Sequence, residues 1–75
     1  MFIASLDTSN FTFTALGETS GEARAALQRG LREHGVQYKL PADWFQEFAD
    51  AIHLDEVMIG DCLRDHEPMH VRPGT

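Results

Sequence analysis

One cysteine in 75 residues leaves this chain no internal disulfide. A domain this small buries only about 60% of the surface its unfolded chain exposes. Extra stability must therefore come from tight packing or self-association, and a homodimer is one expectation. The lone Cys62, and an amino terminus (Met-Phe-Ile-Ala-Ser-Leu-Asp) with no basic region and only a short apolar run, favour a reducing, cytoplasmic setting. No stretch approaches the roughly 20 apolar residues that cross a bilayer, so no membrane partner is expected. Bases are scarce too, six Lys and Arg against twelve Asp and Glu. That shortage argues against direct nucleic-acid binding and against anionic membranes. Aromatics are not lacking: Phe2, Phe11, Phe13, Trp44, Phe45 and Phe48 supply enough burial to argue against disorder.

The negative charge is unevenly placed. Residues 1–42 balance four acids (Asp7, Glu18, Glu22, Glu33) with four bases (Arg24, Arg29, Arg32, Lys39). Residues 43–75 carry eight acids against Arg64 and Arg72, so the whole formal charge of −6 belongs to the second half. Such asymmetry bears on solubility and on which partners are attracted, not on fold.

Phe2, Ala4 and Leu6 alternate with Ile3, Ser5 and Asp7 at the period of a strand. Thr8-Ser9-Asn10 is turn chemistry, and Phe11 to Leu16 alternates again. Residues 2–16 therefore predict an antiparallel hairpin with Phe11 and Phe13 pointing inward. Thr19-Ser20-Gly21-Glu22 fits a capping box and opens a helix expected over Ser20–His34, with Gly35 just past its end. The apolar stripe of that helix is small, so it should lie close against a sheet. Val36, Tyr38 and Leu40 read as a short strand or extended connector, stopped by Pro41. A second helix is expected near 42–53, with Trp44, Phe45, Phe48, Ala49 and Ile52 on its apolar face and Asp43, Glu47 and Asp50 on the other. Alternation at Val57, Ile59, Asp61 and Leu63 predicts a last strand near 56–64, and Pro68, Pro73 and Gly74 mark residues 68–75 as a tail. The expectation is one α+β domain over residues 1–67, a small antiparallel sheet with two helices in the order β-β-α-(β)-α-β.

The run Ala15-Leu16-Gly17-Glu18-Thr19-Ser20-Gly21-Glu22-Ala23 resembles the start of HicB-like proteins. In that family paired strands ending in glycine lead into a threonine-capped helix with a glutamate–alanine pair. The resemblance covers residues 2–34. It implies a strand–strand–helix unit in an antiparallel α/β domain, often the antitoxin of a toxin–antitoxin pair.

Cys62, His66 and His70 sit four apart among acids and form the one metal-like cluster. Pro68 interrupts any helix that would align them, and no CxxC knuckle supplies a first half-site, so neither a metal nor a cofactor is expected. A cysteine nucleophile needs a positioned base, and His66 is only a sequence neighbour; the chain is not expected to be an enzyme.

The plain account of Asp43, Glu47 and Asp50 is a solvated helix face. A binding surface is favoured because the excess continues through Asp55, Glu56, Asp61, Asp65 and Glu67 with one interspersed base. Proteins that hold nucleic acid offer rows of Lys and Arg, and a rigid acidic face can occupy such a row. Trp44 and Phe45 are candidate anchors for that contact, although a small core should consume at least one. The leading expectation is therefore a small acidic inhibitor of a basic protein surface or nucleic-acid-binding complex, similar in size and charge to anti-CRISPR proteins. The alternatives are a HicB-like antitoxin module and a housekeeping domain whose acidity serves solubility.

Overall fold

Strand β1 (Phe2–Asp7) lies at the centre of the protein. It pairs antiparallel with β2 (Thr12–Gly17) on one side and with β3 (His53–Glu56) on the other, giving the order β2–β1–β3. The computed structural model describes residues 1–69. Registers run Leu6 opposite Phe13, Ala4 opposite Ala15 and, across the other edge, Ala4 opposite Leu54. Ile3, Ala4, Ser5 and Leu6 are all buried, and since successive side chains of a strand alternate sides, β1 is buried on both faces.

Helix α1 (Ser20–Gln37) covers one face. Its start is the expected cap: Thr19 Oγ1 accepts from the Glu22 amide at 3.1 Å, while the Glu22 carboxylate accepts from the Glu18 amide at 3.1 Å. Ala23, Leu27, Leu31 and Gly35 recur every fourth residue and are the buried positions of the helix. Ala23, Leu27 and Leu31 form the core with Ala4, Leu6 and Phe45, and Phe2, Phe13, Trp44, Phe48, Ile52 and Leu54 pack around it. Each fully buried leucine contributes about 1.5–3 kcal/mol relative to exposure. The small stripe brings helix and sheet as close as expected: a Cβ on Gly17 would stand 2.3 Å from the Ala23 amide nitrogen.

The helix does not stop at His34. Gly35 lies inside it, buried, because Trp44 occupies the space a side chain would need; a Cβ there would be 2.9 Å from Trp44 Cδ1 and Nε1. The chain turns at Lys39 instead (φ 56°), where Leu40 N donates to Gly35 O at 2.8 Å and Lys39 N to Val36 O at 3.3 Å. Val36–Leu40 is thus helix end and turn, and the optional strand there is not formed.

The second helix is shorter and tighter than the sequence predicts. Residues 42–45 are turns and Gln46–Ala51 is a 3₁₀ helix. Bonds through the turns and the helix each reach back three residues: Trp44 N to Pro41 O at 3.1 Å, Gln46 N to Asp43 O and Phe48 N to Phe45 O, both at 3.0 Å. That winding sends Phe45 into the core while Trp44 Nε1 donates to Leu31 O at 2.9 Å.

The third strand lies earlier than 56–64. Leu54 has to face α1 opposite Ala4, which fixes β3 at His53–Glu56. Residues 57–62 form a loop instead, with Ile59 93% exposed and the Met58 amide donating to Asp61 Oδ2 at 2.8 Å. Strands β4 (Leu63–Arg64) and β5 (Glu67–Pro68) make a separate small hairpin. Pro68, the first residue of the expected tail, therefore pairs with Leu63, and residues 70–75 lie outside the described residues. Among the described residues, no helix is long and apolar enough to cross a membrane.

Candidate functional site

Three elements distant in sequence meet at one end of the sheet and enclose an open groove of about 470 Å³. The β1–β2 turn supplies Phe11, the end of α1 supplies His34 and Tyr38, and the following turn and 3₁₀ helix supply Trp44, Glu47 and Phe48. The turn is closed by Thr8, whose amide donates to Phe11 O at 2.8 Å and whose Oγ1 accepts from Phe11 N at 3.1 Å. Phe11 lies beyond the paired strand. The helix does not cover it fully, so it is not the inward-facing residue the alternation predicts and remains 43% exposed.

The ring wall is continuous. His34 is its hub, with ring centroids 4.5 Å from Tyr38, 4.9 Å from Phe11, 5.1 Å from Phe13 and 5.4 Å from Trp44. These separations are those of favourable aromatic pairs. Tyr38 is 56% exposed, so the wall presents ring surface to solvent. Phe45 is buried, whereas Trp44 is half-buried and lines the groove. The core has thus consumed one of the two candidate anchors.

The acids expected to bind a partner do not share one element. Asp43, in the turn, and Glu47 and Asp50, in the 3₁₀ helix, are exposed; Glu47 alone lines the groove. Among the described residues no basic side chain makes an ion pair with these three. Asp55 is half-buried on the face of the sheet away from α1, opposite Ile3, with Oδ2 buried and unbonded among the described residues. Glu56, at the end of β3, and Asp65, in the last turn, are exposed, while Asp61 accepts from Met58 N.

The histidines and Cys62 are divided. Cys62 is exposed, and His66 turns to Asp7, its Nε2 lying 3.0 Å from both carboxylate oxygens. The Thr12 hydroxyl, donating to Asp7 Oδ1 at 2.9 Å, and then His66 hold the Asp7 carboxyl below its usual range. A carboxylate so stabilised in its charged form is a poor proton acceptor, and the pair ties the β4–β5 hairpin to the end of β1. His53 lies beside His66, ring centroids 6.5 Å apart. Among the described residues no group of three His, Cys, Asp or Glu side chains is placed to hold a metal, and His70 lies outside them.

Sequence reasoning placed Glu47 and Trp44 at an interaction surface but missed Phe11, His34 and Tyr38. Their signal is faint: Tyr38 and Leu40 are apolar residues that no core face requires. No protein-family model, curated protein or solved structure matches the chain.

Proposed function

We propose that this protein is a small, acidic, non-enzymatic interaction protein that binds and blocks a basic protein surface, one that normally holds nucleic acid. The observation that carries the reading is the meeting of aromatic rings with a carboxylate in one groove: exposed Phe11 and Tyr38 and half-buried Trp44 with Glu47, and Asp43 and Asp50 close by in the chain. Aromatic anchors beside a charged rim are the usual anatomy of an interface. The rim's sign selects a basic partner and speeds its approach. An inhibitor of the anti-CRISPR kind fits this chemistry. The antitoxin reading is second, and the Phe2–Gln37 strand–strand–helix order with its Thr19 cap is what favours it.

Affinity capture from the native cell, with the parent chain and with Asp43→Asn/Glu47→Gln/Asp50→Asn side by side, tests the proposal. All three side chains are exposed, where substitutions change stability by less than about 0.5 kcal/mol each. The parent should retain a basic, nucleic-acid-binding protein, and the triple variant should retain less of it with a shallower salt dependence. A single small ribonuclease as that partner selects the antitoxin reading. Undiminished capture by the folded triple variant leaves the acids as a solvated face.

A further inference from the structure

We infer that the aromatic groove is a receptacle for one arginine side chain of the partner, an assignment that rests on the proposed function and gives its contact a chemistry. Three independent features of the groove favour a cation. The first is the wall itself, where Phe11, Tyr38 and Trp44 contribute aromatic rings of the kind whose quadrupoles attract positive charge. The second is Glu47, which among the described residues is the only acid lining the groove, with no Lys or Arg beside it in the wall. The third is α1, whose last turn ends there: His34 and Tyr38 both line the groove, so the partial negative charge of the helix C-terminus lies beside it. Lys39, next in the chain, is exposed and not part of the wall.

Arginine suits this arrangement better than lysine. A planar guanidinium can stack on a ring and still point its fork of donors at a carboxylate, whereas an ammonium is a compact, strongly hydrated point charge. The protein makes the same kind of contact elsewhere with its own residues. On the other flank of α1 the Arg32 guanidinium lies 6.0 Å from the centroid of the Phe45 ring. There the cation is supplied from within; at the Tyr38 groove the described residues supply rings and acid but no Lys or Arg.

Trp44 is the sole tryptophan and stands in the wall, so its emission reads occupancy directly. The probes are the capped amides of arginine, lysine and norleucine, titrated into the full chain. Arginine amide should give a saturable change, lysine amide a weaker one and norleucine amide none. Glu47→Gln and Tyr38→Leu should each weaken the arginine response by roughly two- to tenfold. Leu16→Ala, an exposed site on β2 outside the groove, should leave it unchanged. Circular dichroism checks that each variant is folded. An equal response to norleucine and arginine, no saturable response, or an arginine response indifferent to both substitutions overturns the assignment.

The two readings fail separately. Capture of a basic protein that weakens on neutralising the acids but ignores Tyr38→Leu sinks the receptacle and leaves the proposed function standing. Arginine amide seated in the groove, with no basic protein retained from the cell, supports the receptacle and removes the function.

Discussion

Gly35→Ala sets helix propensity against packing at one position. In an ordinary helix interior, alanine is better than glycine by about 0.8–1.0 kcal/mol. Here the new Cβ would stand 2.9 Å from Cδ1 and Nε1 of Trp44. The ring cannot simply swing away, because Nε1 donates to Leu31 O at 2.9 Å and the ring packs on the core. Loss of that hydrogen bond costs about 0.5–1.5 kcal/mol, and overpacking costs about 1–3 kcal/mol. The packing side wins, and Gly35→Ala should destabilise by roughly 1–3 kcal/mol. Urea unfolding followed by far-ultraviolet circular dichroism gives the number, and a red shift of Trp44 emission reports the displaced ring. In a Trp44→Leu background the same substitution should be neutral or stabilising by up to about 1 kcal/mol, since no ring is left to strike. Stabilisation by Gly35→Ala in the parent chain would refute the reasoning.

Gly17→Ala forces a Cβ to within 2.3 Å of the Ala23 amide nitrogen, a backbone atom that cannot rotate aside, so thermal unfolding should show a large loss, about 2 kcal/mol or more. Gly30→Ala, with open space around its Cβ and an exposed mid-helix position, should instead raise stability by up to about 1 kcal/mol; equal effects at the two sites would contradict the close seat of α1. Asp7 tests the tie to the C-terminal hairpin. Its folded pKa is depressed, so its contribution is full above the unfolded value of about 3.9 and fades as pH falls through the lower folded value. Thr12→Val removes the largest cause, so melting temperature should fall less steeply with acid in that window; parallel curves for variant and parent would remove Asp7 from the account.

Legibility in this chain tracks distance. The strands of the hairpin, the Thr19–Glu22 cap and the stripe Ala23–Leu27–Leu31 are read from residues a few positions apart, and they stand where the alternation and the helical period put them. Gly35 carries the same local signature whether it ends a helix or admits a neighbour's ring, and what decides is Trp44, nine residues later and in contact only after folding. Trp44, Phe45 and Phe48 fit a winding of either 3.6 or 3.0 residues per turn, so their spacing alone could not separate an α-helix from the 3₁₀ helix observed. His53–Glu56 has one apolar residue, Leu54, and becomes a strand because β1 has an open edge. The groove was legible only in part for the same reason. Glu47 and Trp44 stand out by charge and size, but Phe11, His34 and Tyr38 join them only through tertiary packing.

The order β2–β1–β3 also sets a timetable. The β1–β2 hairpin is closed by neighbouring residues and can form in about 1–10 μs. β3 comes into place only when Glu56 finds Phe2, across the whole of α1 and the 3₁₀ segment. Closing that span carries an entropic cost before any bond repays it, so the third strand of the sheet should govern the folding rate. Until it arrives, the β3-facing edge of β1 presents unpaired amides and carbonyls to any passing strand. In the folded protein the four residues His53–Glu56 cover that edge.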